Sequence, residues 1–120
     1  MMGLVHLTMG IANPAVPQKV VRRKFLIDSG AIFSVAPSAV LRRLGIEPHE
    51  KRSFTLANGD VIRREVGTAL FRYKRRRAGA PIIFGEPGDA DIVGVMTLEA
   101  LGLALDPLKR ELRPLPMLLV

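Results

Sequence analysis

The chain has 120 residues, 48% of them hydrophobic, and a formal net charge of +7. That length suits one domain over residues 1–120, and the apolar share is too high for a disordered tail. With no cysteine, disulfides and thiolate metal sites are excluded. The opening Met1–His6 lacks the charged segment and apolar run of a secretory signal. No apolar stretch approaches the roughly 20 residues of a membrane span. A cytoplasmic protein without a membrane partner is expected.

Leu4 to Ile11 is apolar with β-branched members and predicts a strand, ended by a turn at Asn13-Pro14 and Pro17. Val20-Val21 and Phe25-Leu26-Ile27 bracket the basic run Arg22-Arg23-Lys24 and predict a strand that stops at Asp28. Ala31 to Val35 continues extended. Pro37 suits the first position of a helix, where its missing N–H is not needed. Val40, Leu41 and Leu44 give that helix an apolar face, and Gly45 stops it. Phe54-Thr55-Leu56 and Val61-Ile62 flank Asn58-Gly59, a strong hairpin signal because both residues tolerate positive φ. Ala69, Phe71 and Tyr73 alternate with Leu70, Arg72 and Lys74, as in a half-buried strand. A turn at Ala78-Gly79 leads to a strand over Pro81–Phe84, then a loop over Gly85–Gly88. Ile92-Val93-Gly94 is short and apolar. A second brief helix spans Thr97–Leu101, closed by Gly102. Leu103–Leu105 and Glu111–Arg113 flank an Asp106-Pro107 turn, and Leu115–Val120 forms an apolar tail. Short strands, two short helices and no βαβ rhythm predict a mainly β fold, a small closed or nearly closed barrel.

The positive charge raises nucleic acid as a partner. Its basic residues fall in two short runs, Arg22–Lys24 and Lys74–Arg77, and no aromatic residues alternate with them as a stacking platform requires. They are read as solvated strand ends or loops, and nucleic acid is not the expected partner.

One site stands out. Asp28 ends an apolar strand, where a carboxylate is costly unless hydrogen-bonded. Ser29 offers a hydroxyl, and Gly30 lets the backbone turn sharply and approach closely. A carboxylate held in a partly apolar crevice can be tuned for proton transfer. Ser29 itself lacks a nucleophile elbow and a partner histidine. Glu47-Pro48-His49-Glu50 has the residue types of a metal site, but Pro48 interrupts the helical spacing such motifs use, so a solvated loop is expected there. Neither a metal nor a cofactor is called for.

The run Phe25–Ala31, then Ser34-Val35-Ala36-Pro37, then a helix ending Leu44-Gly45-Ile46, resembles the retropepsin-like (retroviral-type) aspartic proteases. Ile92-Val93-Gly94 is similar to the family's hydrophobic-hydrophobic-Gly segment beneath the active site. Leu56–Asp60 stands where the family has its flap, and Leu98–Leu103 with Asp106-Pro107 is similar to bacterial members. The likeness covers residues 19 to 113.

That resemblance implies an acid-protease β-barrel with one or two short helices, and an aspartic endopeptidase of the homodimeric kind. Asp28 would be catalytic, supported by Ser29, Gly30 and Ala31. Ala57, Asn58 and Gly59 would form the substrate-binding flap, and Ile92, Val93 and Gly94 would lie beneath the site. The family's chemistry needs two aspartates, and this chain has one Asp-Ser-Gly triplet. Two copies would therefore meet across a two-fold axis and act on a polypeptide substrate. The retroviral arginine after the Gly of that segment is absent, since Val95-Met96 follows Gly94. The tail Leu115–Val120 is then the candidate dimer strand. The alternatives are a protease-like binding or assembly module without activity, and a basic nucleic-acid-binding β-barrel.

Overall fold

In the computed structural model, residues 4–116 are described. The chain runs β1 (His6–Ala12), β2 (Val20–Ile27), β3 (Ser34–Pro37), α1 (Ser38–Arg43), β4 (Glu50–Thr55), β5 (Val61–Tyr73), β6 (Arg76–Gly85), β7 (Ile92–Val93), α2 (Val95–Leu101), β8 (Leu103–Asp106) and β9 (Glu111–Pro114). Seven strands form a sheet in the order β1-β2-β7-β3-β6-β5-β4. β1 also pairs with the far end of β5, through Gly10↔Arg72 to Ala12↔Leu70. That extra pairing bends six strands into a ring, as expected for a mainly β protein. β8 and β9 make a separate two-stranded ribbon.

Alternation along the strands fills the ring. Phe25 and Ile27 of β2 point inward while Arg22 and Lys24 stay in water. Ala69 and Phe71 of β5 are fully buried and Arg72 is exposed. Phe25 and Phe71 meet at 6.4 Å between ring centroids, tilted by 55°, within the range of favourable aromatic pairs. Met9, Ile11, Leu41, Ile82 and Val93 complete the centre.

Both helices end as their glycines predict. After α1, the Gly45 N–H donates to Arg42 O and the Ile46 N–H to Leu41 O, with Gly45 at φ +78°. This double closure satisfies carbonyls the helix leaves open. Gly102 ends α2 in the left-handed region.

Four local expectations are corrected. Pro37 is not the first helical residue but the last of β3, with ψ 135°, and caps α1 from outside. α2 begins at Val95, two residues before Thr97. The β5–β6 turn falls at Lys74-Arg75, and Ala78-Gly79 lies inside β6. Eight cross-strand pairs from Val66↔Ile83 to Tyr73↔Arg76 set this register, and they hold Lys74 at φ +55° although side-chain-bearing residues seldom adopt it. The β4–β5 hairpin exists as expected, with a different tip. Leu56 N–H donates to Asp60 O at 2.8 Å around three residues, and only Gly59 among them has positive φ, +91°. Asn58 contributes its side chain instead, Oδ1 accepting the Asp60 N–H at 2.9 Å. Of the apolar tail, Leu115 donates its N–H to Gly102 O at 2.8 Å. Residues 117–120, and with them most of the proposed dimer strand, lie outside the described residues.

Candidate active site

Asp28 sits one residue past the end of β2. There β2 runs parallel to β7 through Leu26↔Ile92 and Ile27↔Val93. The Asp28 N–H still donates to Val93 O at 3.0 Å, after which the chain turns away. The turn is closed twice: the Gly30 N–H donates to Asp28 Oδ1 at 2.9 Å, and the Ala31 N–H to the Asp28 carbonyl at 3.1 Å. A side chain at Gly30 would place its Cβ 3.2 Å from Asp28 Oδ1, so glycine keeps the carboxylate uncrowded. Asp28 is half-buried, while Ser29 and Gly30 are exposed.

Beneath this loop lies a buried support. β7 is inserted between β2 and β3, pairing Ile92 with Val35 on its other side. Gly94 follows, and a Cβ there would stand 2.6 Å from Phe33 O and 2.7 Å from Ile32 O. Only glycine allows the two backbones this approach. The Gly94 N–H donates to Ser34 Oγ at 3.0 Å, and Ser34 Oγ lies 2.6 Å from Thr97 Oγ1. Both hydroxyls are buried, where an unpaired polar group would be costly. α2 then starts against the loop: Val95 N–H donates to Ala31 O at 2.8 Å and Met96 N–H to Ile32 O at 3.1 Å.

A cleft of about 580 Å³ opens beside the loop, lined by its Gly30 and Ala31 together with Ile32, Phe33, Phe54, Leu56, Ile62 and Ile83. Phe33 and Phe54 meet edge to face at 5.6 Å. The hairpin thus contributes its arms, including Thr55 and Leu56, to the wall. Its tip residues Ala57, Asn58 and Gly59 are exposed and do not line the cleft. Of the predicted site residues, Asp28, Ser29, Gly30 and Ala31 share the loop, and Ile92, Val93 and Gly94 pack directly under it.

The far wall is charged. Arg64 of β5 donates to Asp89 through Nε and Nη2, at 2.8 and 3.1 Å, and its Nη1 reaches Glu86 Oε2 at 2.8 Å. The hydrogen bond to Arg64 holds the Asp89 carboxyl below the usual carboxylate range, against a smaller opposing effect of burial. The same bond raises Arg64. Asp91 pairs with Arg23 at 2.6 Å. Asp60 fixes the hairpin tip, and Asp106 accepts the N–H groups of Leu108 and Lys109. Asp89 and Asp91 are therefore paired with cations distant in sequence, whereas the carboxylates of Asp28, Asp60 and Asp106 are held, among the described residues, within their own turns.

Sequence reasoning missed the Ser34–Thr97 pair and the Arg64–Asp89 clamp. A serine inside the apolar run Ile32–Ala36 was a usable sign of the first. The second joins positions 25 residues apart and left no local sign.

No protein-family model matches the sequence, and no curated protein matches it. Solved structures do. The simian foamy virus (mac) protease superimposes with a TM-score of 0.55 at 18% identity, over 81% of this chain and 92% of that one. A retropepsin-like aspartic protease from Rickettsia conorii does so with a TM-score of 0.54 at 17% identity, over 87% of this chain and 77% of that one. With a strand ring, an inserted β7 and an Asp-Ser-Gly turn at the end of β2, the chain has the fold of the retropepsin-like aspartic proteases.

Proposed function

We propose that this chain is one subunit of a homodimeric aspartic endopeptidase, with Asp28 of each copy contributing one carboxylate. The observation that carries the proposal is the placement of Asp28. Unlike Asp89 and Asp91 its carboxylate is in no ion pair among the described residues, and it stands on a turn, braced from below, whose Gly30 and Ala31 line an apolar cleft. Two such carboxylates a few ångströms apart cannot both ionise cheaply, so the pair would share a proton. The ionised partner takes a proton from water as that water attacks the peptide carbonyl. The protonated partner polarises the carbonyl and assists protonation of the leaving amine. Ser29 would brace the paired loops, Gly30 would let the substrate backbone approach, and the Ala57-Asn58-Gly59 hairpin would close over an extended peptide as an added strand.

Apolar exposure supports a covered face. Ile32, next to the turn, is 60% exposed, and Met96, whose N–H bonds to Ile32 O, is 40% exposed. They occupy the region where retroviral relatives place the arginine missing here, so an apolar contact between copies would replace a polar one. The tail Leu115–Val120 would add to it.

The test combines mass and cleavage. Wild type should sediment as a dimer and cut an unfolded polypeptide at mildly acid pH. Asp28→Asn should fold and dimerise as wild type does while losing at least about 1000-fold in rate, as expected when a catalytic group that acts as half of a unit is removed. A monomer, or equal cleavage of a broad peptide library by both proteins, overturns the proposal.

A further inference from the structure

The basic runs that sequence alone assigns to separate solvated ends meet on one sheet face. Register places Arg22 of β2 opposite Gly10 of β1, Gly10 opposite Arg72 of β5, and Arg72 opposite Arg77 of β6. Directly paired residues share a face, so Arg22, Gly10, Arg72 and Arg77 form one row across four strands. Lys24 lies two residues beyond Arg22 on the same side. The neighbouring row, Val20–Ala12–Leu70–Gly79, carries no charge, and Lys24 faces Thr8. No acidic side chain interrupts the patch along these rows.

Gly10 gives the row a notch. Gly10 borders a recess of about 300 Å³ lined also by Val20, Arg22, Arg72 and Lys74, with Val20 Cγ1 leaning to 2.6 Å from where a Gly10 Cβ would stand. With strands about 4.8 Å apart, the two arginine backbones flank it at roughly 10 Å. All five cations are exposed. Among the described residues, none of the five is in an ion pair; the six ion pairs there use other groups. Lys74 rests its ammonium 5.4 Å from the Tyr73 ring. Without these five residues the formal charge of +7 falls to +2, so the patch holds most of the chain's excess.

We infer that this face binds the phosphate backbone of a nucleic acid, without reading its bases. Guanidinium forks match phosphate oxygens two at a time, and Arg22 and Arg72 flank the recess on either side. A nucleic-acid strand supplies a negative charge about every 3.4 Å, a density that five unpaired cations on one face can meet. The patch offers no free aromatic face for stacking, so contact is with phosphate and is sequence-independent. The surface belongs to β1, β2, β5 and β6 and shares no lining residue with the cleft beside Asp28. The inference therefore goes beyond the protease proposal and does not rest on it.

Fluorescence anisotropy of the full chain with a labelled 20-nucleotide oligouridylate, between 50 and 200 mM salt, tests it. With about four phosphates neutralised, affinity should fall roughly 50-fold over that range. Arg22→Gln/Arg72→Gln should weaken binding at 50 mM salt about 10-fold or more and flatten the salt slope by about 1.5. Arg43→Gln/Lys109→Gln removes the same charge from α1 and the β8–β9 turn, and should change affinity less than about 3-fold. Peptide cleavage should be the same in both double variants, so failure of the protease proposal leaves this test standing. No binding at 50 mM salt, equal weakening by both double variants, or equally effective competition by a polyglutamate of matched charge would each overturn the inference. The last outcome would assign the face to acidic polypeptides.

Discussion

The loop that carries Asp28 and the β4–β5 hairpin, whose arms wall the cleft, are both turns built around glycine, yet they are held by different means. Under the loop, Gly94 is wedged against two carbonyls, and Ser34, Thr97 and the start of α2 satisfy one another in a dry interior. At the hairpin tip, a Cβ on Gly59 would meet nothing within 4 Å, and the bonds that shape it are local. Dense, fully paired packing fixes a group in one place. An exposed ribbon with local bonds is free to move as a unit. A fixed base beside a more loosely held hairpin fits the proposed action on an extended peptide.

The largest way to break this contrast is Gly94→Ala. Its methyl must displace backbone, not a flexible side chain, and overpacking of this kind should cost about 3 kcal/mol or more. Chemical denaturation would show a lower midpoint. Ser34→Ala comes next. It strands the Gly94 N–H and leaves the Thr97 hydroxyl without its partner, so a loss of about 2 kcal/mol is expected. Thr97→Val in the same background should recover part of it, which thermal melts of the single and double variants would measure. The smallest effect belongs to Gly59→Ala. Space is ample there and only the left-handed backbone is strained, for about 1 kcal/mol. A loss at Gly59 as large as that at Gly94 would erase the distinction between base and hairpin.

Much of this was legible from residues whose role is local. Phe25-Leu26-Ile27 followed by Asp28-Ser29-Gly30 marks a strand end and a turn. Leu44-Gly45 and Leu101-Gly102 mark helix stops, because a left-handed cap wants glycine wherever it occurs. Decisions made by pairing were harder to see. Ala78-Gly79 looks like a turn, but eight cross-strand pairs outweigh one dipeptide's preference and push the reversal onto Lys74-Arg75. Pro37 suits a helix start, yet its pairing with Gly85 keeps it in β3. The cleft wall from Phe33, Phe54 and Ile83, the Arg64–Asp89 clamp and the gathering of Arg22, Arg72 and Arg77 all depend on distant segments meeting. No window of sequence contains them.

The first amides of α2 bear on how the molecule opens. A helix leaves its leading N–H groups unpaired, and here those of Val95 and Met96 are taken by carbonyls of the Asp28 loop. Fraying of that helix end and loosening of the loop are consequently one event. Opening either one breaks hydrogen bonds that hold the other, so the turn that presents Asp28 is tied to buried secondary structure although half of its residues face solvent.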